Sequence, residues 1–580
     1  MSAVILAGVV ISGAWTQLDE VSPAGWLAVA LVAIFDHYGP TLRWRRPRLS
    51  PRVERTPLVA SIFICALLLA HLALTWREEF GFSGDEGYHL SATRTFAIYF
   101  MRAGPLLAAV LVLYGVLVFK GIRYASTVAM AGLLAASYAL PQSAMFGRYP
   151  AGFYLLATPL NVVFDVLHSP YPHTASHVMN VLSVPAWLFV LRPLVIGRWP
   201  DWQVLPVALL MYFQGPALVY LGSTLIEPWS IVFLLLSIEA LVTLPADERW
   251  VAVALVSVAA AFKETAILLL PTIWILACVE WRGLRPSLRA NALAAGVAAV
   301  TPFAIYYLVR RGADIHRIVA LATAAEVWQS TRLAVWFANV TAAIGVTGLL
   351  AVALLFIGTL RHVAWAVTTL ALVIFFFVDA LGVPYTGYSR YLAFALVALS
   401  GAILAATHRA TDRRRLMAVP LVIAGLQAWP MAQTFALDFR PDYERNSLEW
   451  NGSLIRLPIR TLVGKLPALA KDAPMRIRVV TFATDLISLA VVYPDLAARY
   501  ELRPDSYAAS YEACSCRDNA EAVLAAFEWP AHFGDTPEQR AAFDLRASSC
   551  IRQLEATCRA VEVERHRSGA AVGVIGAGVR

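Results

Sequence analysis

The sequence predicts an all-α polytopic membrane protein with a small extracytoplasmic α/β domain at its C-terminus. Three observations carry this prediction. Apolar runs of spanning length recur through roughly the first 435 residues, separated by short polar loops. The 580 residues are 59% hydrophobic and 15% charged, against about 25% charged in an ordinary soluble domain. Four of the six cysteines gather in the last segment, as extracytoplasmic disulfide-bonded domains gather them.

The runs lie near 2–16, 24–38, 57–76, 105–119, 125–140, 175–194, 203–221, 226–244, 250–262, 265–281, 290–309, 333–358, 363–380, 390–407 and 416–435. Those shorter than about 20 residues cross only when neighbouring helices or a water-filled cavity shelter their ends. The domains expected are 1–56, two additional spans and a basic loop; 57–435, a helical core of about 13 spans; and 436–580, the tail. The net charge of +8 belongs to loops that orient helices, not to nucleic-acid binding. Arg43, Arg45, Arg46, Arg48, Arg52 and Arg55 form one basic cluster, Arg282, Arg285 and Arg289 a second, and Arg409, Arg413, Arg414 and Arg415 a third. Counting spans puts all three on one side, the cytoplasmic one by the positive-inside rule. Loops 77–104, 141–174, 310–332 and 381–389 then share the outer face with the tail.

In the tail, 476–482 alternates like a strand and 485–499 reads as a helix. If 541–562 is also helical, Cys550 and Cys558 stand about 12 Å apart along its axis, too far to bond. Cys514 and Cys516 are too close for an easy bond to each other. Each is expected to reach one of the other two; free or metal-binding thiols are the rival reading. Cys65 and Cys278 fall in apolar runs. Glycines 573, 576 and 578 imitate a dinucleotide fingerprint but have no helix after them.

Charges beside apolar helices are expensive and mark function. Asp85 and Glu86 stand in the first outer loop of the core, followed by His89. A carboxylate there can act as a general base or hold a divalent cation. Arg148 follows the fifth run on the same face, and its planar fork suits phosphate. Lys263 and Glu264 separate two short apolar runs. Neighbours on a helix diverge by about 100°, so the two are expected to have different partners. Glu227, before Pro228, sits at an outer turn. Tyr385, Arg390 and Tyr391 lie at a late outer loop. His173 and His177 are spaced to share a helix face, with no third metal ligand near them in sequence.

These groups, in this order, resemble the GT-C superfamily of membrane glycosyltransferases, in particular its protein O-mannosyltransferase and aminoarabinose transferase branch. Asp85-Glu86 is similar to that family's acidic motif. Residues 148–156, from Arg148-Tyr149-Pro150, look like the segment opening its central block, although the usual double proline is Pro150-Ala151 here. Glu227-Pro228, Phe262-Lys263-Glu264-Thr265-Ala266 and Ser389-Arg390-Tyr391-Leu392 look like its later motifs. The 60-odd residues between Asp85 and Arg148 exceed one loop, so 105–140 is an additional helical hairpin or a pair of juxtamembrane helices.

The resemblance implies an inverting transfer of a sugar from a polyprenyl-phosphate donor to a hydroxyl of a glycan, lipid or protein, at the outer face of the plasma membrane. Asp85 and Glu86 would be catalytic. Lys263, Arg390 and Arg148 would bind the donor phosphate. His89, Glu227, Glu264, Tyr385 and Tyr391 would bind substrate, with Glu86 and Glu227 holding sugar hydroxyls or a cation. The resemblance fixes no cofactor, and a divalent cation, Mg or Mn, is compatible with it. The competing expectation is a transporter or flippase of lipid-linked sugars.

Overall fold

A computed structural model describes residues 2–12, 15, 22–38, 49, 54–75, 85–139, 150–167, 174–205, 207–208, 226–279, 296–297, 300, 459–469, 476–481, 494–505, 514–519, 521–528, 537–565 and 571–580. Over these the chain is mostly helical, with one five-stranded sheet near the C-terminus. The expected spans beyond 300, and the loops between them, lie outside the described residues.

The helical part runs α1 Ser2–Ile11, α2 Ser22–Tyr38, α3 Arg55–Thr75, α4 Asp85–Phe119, α5 Ala125–Ala139, α6 Gly152–Val166, α7 Thr174–Ala186, α8 Arg192–Ile196, α9 Glu227–Thr243, α10 Trp250–Phe262 and α11 Leu270–Val279. Among the described residues two helical stretches, Tyr99–Phe119 and Val178–Ile196, are long and apolar enough to cross a membrane. The second is made of α7, a π-helical turn at Trp187–Leu191, and α8.

α9 is apolar on every side and buried on nearly every side, as a central helix must be. α10 returns antiparallel to it, and the Ser237 hydroxyl donates to the Ala252 carbonyl across the hairpin at 2.7 Å.

The segment 85–104, expected as loop, is helical. α4 is therefore one helix of 35 residues, about 52 Å long. Its first half buries His89, Ala92, Thr93, Phe96, Tyr99 and Ala103, a single face at three- and four-residue spacing that packs along α6. Its second half is largely exposed, with Val112 66% and Phe119 93% accessible. The helix ends on Gly121, whose φ of +68° no side-chain-bearing residue adopts cheaply. Gly121 N–H donates to Val118 O at 3.0 Å and Ile122 N–H to Leu117 O at 2.9 Å, the paired bonds of a glycine helix stop. The chain then turns into α5, which packs back along α4. Arg123 in that turn donates to the carbonyls of Asp36 and His37 at the end of α2, satisfying orphan acceptors at a helix C-terminus.

Past α12 Ile459–Gly464 and α13 Leu466–Leu469, the C-terminal domain holds β1 Arg476–Thr481, α14 Pro494–Arg499, β2 Glu501–Asp505, β3 Glu521–Glu528, α15 Pro537–Thr557, β4 Cys558–Arg565 and β5 Ala571–Val579. The strand order is β2-β1-β3-β5-β4. β1 pairs parallel with β2 and β3, while β5 runs antiparallel between β3 and β4. The strand expected at 476–482 is present, and of the helix expected at 485–499 the described part, Pro494–Arg499, is helical. The helix expected over 541–562 stops at Thr557, because Cys558 begins an edge strand paired to β5.

Cys514 bonds Cys550 and Cys516 bonds Cys558. The second bridge explains one terminal glycine. A Cβ at Gly576 would stand 2.8 Å from Cys558 Sγ, so β5 passes beneath the sulfur only without a side chain. Gly573, Gly576 and Gly578 all lie on β5.

Candidate functional site

The chain is brought to one place by two close approaches. At the start of α6 the Ala151 N–H donates to Ser12 O, beyond the end of α1, at 2.9 Å. A Cβ on the next residue, Gly152, would meet Ala261 O at 2.4 Å, Ala261 C at 2.9 Å and Phe262 N at 3.3 Å. The first turn of α6 thus lies against the backbone of the last turn of α10, and only glycine permits it.

The next residue after α10 is Lys263. It leaves the helix with extended backbone, φ −139° and ψ 116°, before a 3₁₀ stretch, Glu264–Leu269. This break corrects the expectation that Lys263 and Glu264 take different partners, which assumed one continuous helix. Lys263 Nζ lies 3.8 Å from Glu264 Oε1 and 3.6 Å from Glu227 Oε1. Glu227 opens α9, with Pro228 behind it in the first turn, where proline costs no backbone bond. The antiparallel hairpin places the start of α9 beside the end of α10, so residues 36 positions apart in sequence share one knot.

The knot is enclosed. The side chains of Lys263 and Glu227 are 3% and 1% exposed, and Glu264, at 10%, is its most open member. Among the described residues neither carboxylate oxygen of Glu227 has a hydrogen bond, nor does Glu264 Oε2 or the hydroxyl of Ser230, one turn further along α9. Aromatic rings support it from below: Phe262 stacks on Trp229 at 6.0 Å and Phe233 at 5.4 Å between ring centres. The Trp229 indole donates to Met179 O on α7 at 3.0 Å.

His89 is also buried. Its Nδ1 and Tyr154 Oη are 2.9 Å apart, and Tyr154 packs with Phe96, Phe153, Trp229 and Phe262 in the same apolar cluster. His89 therefore ties the second turn of α4 to α6. Asp85 and Glu86 occupy the first turn of α4, where carboxylates suit the helix dipole; their side chains lie outside the described residues. So do Arg148, Tyr385, Arg390, Tyr391, His173 and the side chain of His177. Among the described residues no three His, Cys, Asp or Glu side chains are grouped to hold a metal ion.

A second charged knot escaped sequence reasoning. Arg192, fully buried just after the π turn, donates through Nε to Glu239 Oε1 at 2.5 Å, through one terminal nitrogen to the Trp199 carbonyl, and through the other to Asp201 Oδ2 at 3.0 Å. Its sequence signal was available, since Arg192 and Glu239 are isolated charges near the ends of apolar runs.

No protein family matches the chain, and no curated protein or solved structure shows significant similarity to it. Fold and site define a mostly helical protein whose α6, α9 and α10 carry a buried charged knot where their ends meet.

Proposed function

We propose that this chain is an integral membrane glycosyltransferase that moves a sugar from a polyprenyl-phosphate donor to an acceptor hydroxyl at the extracytoplasmic face. The observation that carries the reading is the Lys263–Glu227–Glu264 knot, enclosed where α9 begins and α10 ends. Glu227 and Lys263 belong to two of the motifs on which the family resemblance rests, and burial of such charges without a ligand is costly. The Gly152–Ala261 approach adds the segment that opens the central block of that resemblance.

The membrane part of the reading draws support from α4. Arg102 and Lys120, both exposed, bracket an apolar exposed stretch of the helix. Eighteen residues span about 27 Å, against a hydrocarbon core of about 30 Å. Cysteines introduced near 411 and near 505 should label from opposite sides of sealed vesicles; labelling from one side would break the orientation.

In the reaction, Asp85 takes the proton of the acceptor hydroxyl. The acceptor oxygen bonds to the anomeric carbon as the bond from that carbon to the phosphate oxygen breaks, with inversion. The polyprenyl phosphate departs with the bonding electrons, its charge met by Arg390 and Arg148. Mg or Mn is compatible with this scheme but carries no step of it. The test is transfer from a purified glycosylated polyprenyl phosphate in detergent, where no gradient exists. Asp85→Asn should retain donor binding and lose about 10²- to 10⁴-fold in turnover. Donor binding without transfer by the wild type would favour a transporter of lipid-linked sugars instead.

A further inference from the structure

We infer that the knot formed by Glu227, Glu264 and Lys263, with Ser230, is a binding site for the hydroxyl groups of a sugar, and not a site for the phosphate or for a metal ion. The inference rests on the proposed reaction for the identity of the lipid carrier, but its argument is geometric.

Glu227 is fully buried, and among the described residues both its carboxylate oxygens lack hydrogen bonds, as do Glu264 Oε2 and Ser230 Oγ. Ser230 stands three residues after Glu227 on α9, on the same helix face. A buried charged acceptor without a donor costs more than a neutral one, so the knot is incomplete as it stands.

Three ligand classes can be weighed against it. Among the described residues a phosphate would meet two carboxylates for one ammonium, at 3.6 and 3.8 Å from that ammonium; its negative charge is repelled by the pair. A metal ion bound to Glu227 would press against the Lys263 ammonium already beside that carboxylate, and no third His, Cys, Asp or Glu ligand is grouped there among the described residues. Neutral O–H donors meet neither repulsion. They supply what the orphaned oxygens lack, while Lys263 can donate to a ring or hydroxyl oxygen. A sugar carries several such groups on one face, and carboxylates recognise them with charge-assisted hydrogen bonds.

Native mass spectrometry of the full chain in detergent tests this with three probes: a polyprenyl phosphate carrying a hexose, the same polyprenyl phosphate without sugar, and the methyl glycoside of that hexose. Glu227→Gln keeps the shape of the side chain. It should weaken the glycosylated lipid and the methyl glycoside by roughly 10- to 100-fold and leave the sugar-free lipid nearly unchanged. Glu264→Gln should act in the same direction, and serves if the first variant does not fold. Equal losses for both lipids would overturn the inference, because the knot would then be reading phosphate. Unchanged binding of all probes would overturn it as well.

The two sources of sugar separate by competition. Displacement of the glycosylated lipid by the methyl glycoside assigns the knot to the donor sugar; joint binding assigns it to a sugar acceptor. A wild type that binds the methyl glycoside through Glu227 but neither lipid would sink the proposed donor and leave the sugar site standing. A wild type that binds none of the three sinks both.

Discussion

Replacing Gly152 with alanine adds one methyl group where, among the described glycines, a Cβ would meet its closest contact. The new Cβ would stand 2.4 Å from Ala261 O and 2.9 Å from Ala261 C. Non-bonded carbon contacts are comfortable near 3.5 Å, so α6 and the end of α10 must separate by about 1 Å. The obstructing atoms are backbone, not a side-chain tip that could swing away. Overpacking of this kind costs about 1–3 kcal/mol, while the gain in helix propensity from Gly to Ala is at most about 1 kcal/mol and smaller at a helix start. The loss wins. Because Lys263 follows Phe262 directly, the shift also displaces the knot, and a 1 Å misplacement can cost about 10²-fold in rate. Thermal unfolding of the purified protein in detergent reads the first effect, and the proposed sugar transfer reads the second. Gly115→Ala is the control: it lies on α4 with nothing within 4 Å of the added Cβ, and should be neutral or stabilising. A Gly152→Ala protein that unfolds no earlier than wild type and transfers sugar normally would refute the close approach.

Three further predictions concern other parts of the chain. Arg192→Met strands the carboxylates of Glu239 and Asp201 and should cost about 3–5 kcal/mol. Adding Glu239→Gln should recover part of it, with a coupling of about 0.5–3 kcal/mol in denaturant titrations; strict additivity would mean that the 2.5 Å bond contributes nothing. In the tail, mass spectrometry without reductant should recover Cys514–Cys550 and Cys516–Cys558. With sequence separations of 36 and 42, each bridge is worth about 4 kcal/mol in the loop-entropy account. Gly576→Ala, crowded by Cys558 Sγ, should destabilise the domain less once Cys516 and Cys558 are both alanine; an equal loss in both backgrounds would refute the contact.

Helices were legible where an apolar run meets a clear boundary. α9 and α10 fall within a residue of the runs at 226–244 and 250–262, since Pro228 and the polar turn at 245–249 punctuate them. The first half of α4 was not legible by hydropathy. Asp85, Glu86, His89, Thr93, Arg94 and Arg102 dilute it, and its apolar content is confined to one face. The spacing of His89, Thr93, Phe96, Tyr99 and Ala103 held that signal, but a span count does not read it. The tail strand at 476–482 was legible by alternation, although Ile477, Val479 and Val480 are all buried, as in a strand covered on both faces. The end of α15 was not, because Cys558 leaves the helix to pair with Val579 across the sheet, a long-range constraint that local propensity does not contain. At the site, sequence order named Glu227, Lys263 and Glu264. It did not bring Lys263 to both carboxylates, because that depends on the helix break between Phe262 and Glu264.

The two knots lie twelve residues apart on α9, about 18 Å along its axis, and their chemistry is opposite. At Glu239, one arginine directs donors to two carboxylates and a carbonyl, and the remaining oxygen of Asp201 accepts the Gln203 N–H at 3.0 Å. Of that knot's side chains only Glu239 Oε2 lacks a hydrogen bond among the described residues, and the knot fixes α8, the following turn and α9 as a unit. At Glu227, one lysine stands beyond hydrogen-bond distance from two carboxylates, and among the described residues three carboxylate oxygens and a hydroxyl have no donor. Stability alone would favour completing both ends in the same way, since breaking or leaving open a buried charged group is the costlier state. An incomplete knot at one end of a helix whose other end is well tied is the arrangement expected of a binding site on a rigid support, with the missing donors supplied by what binds.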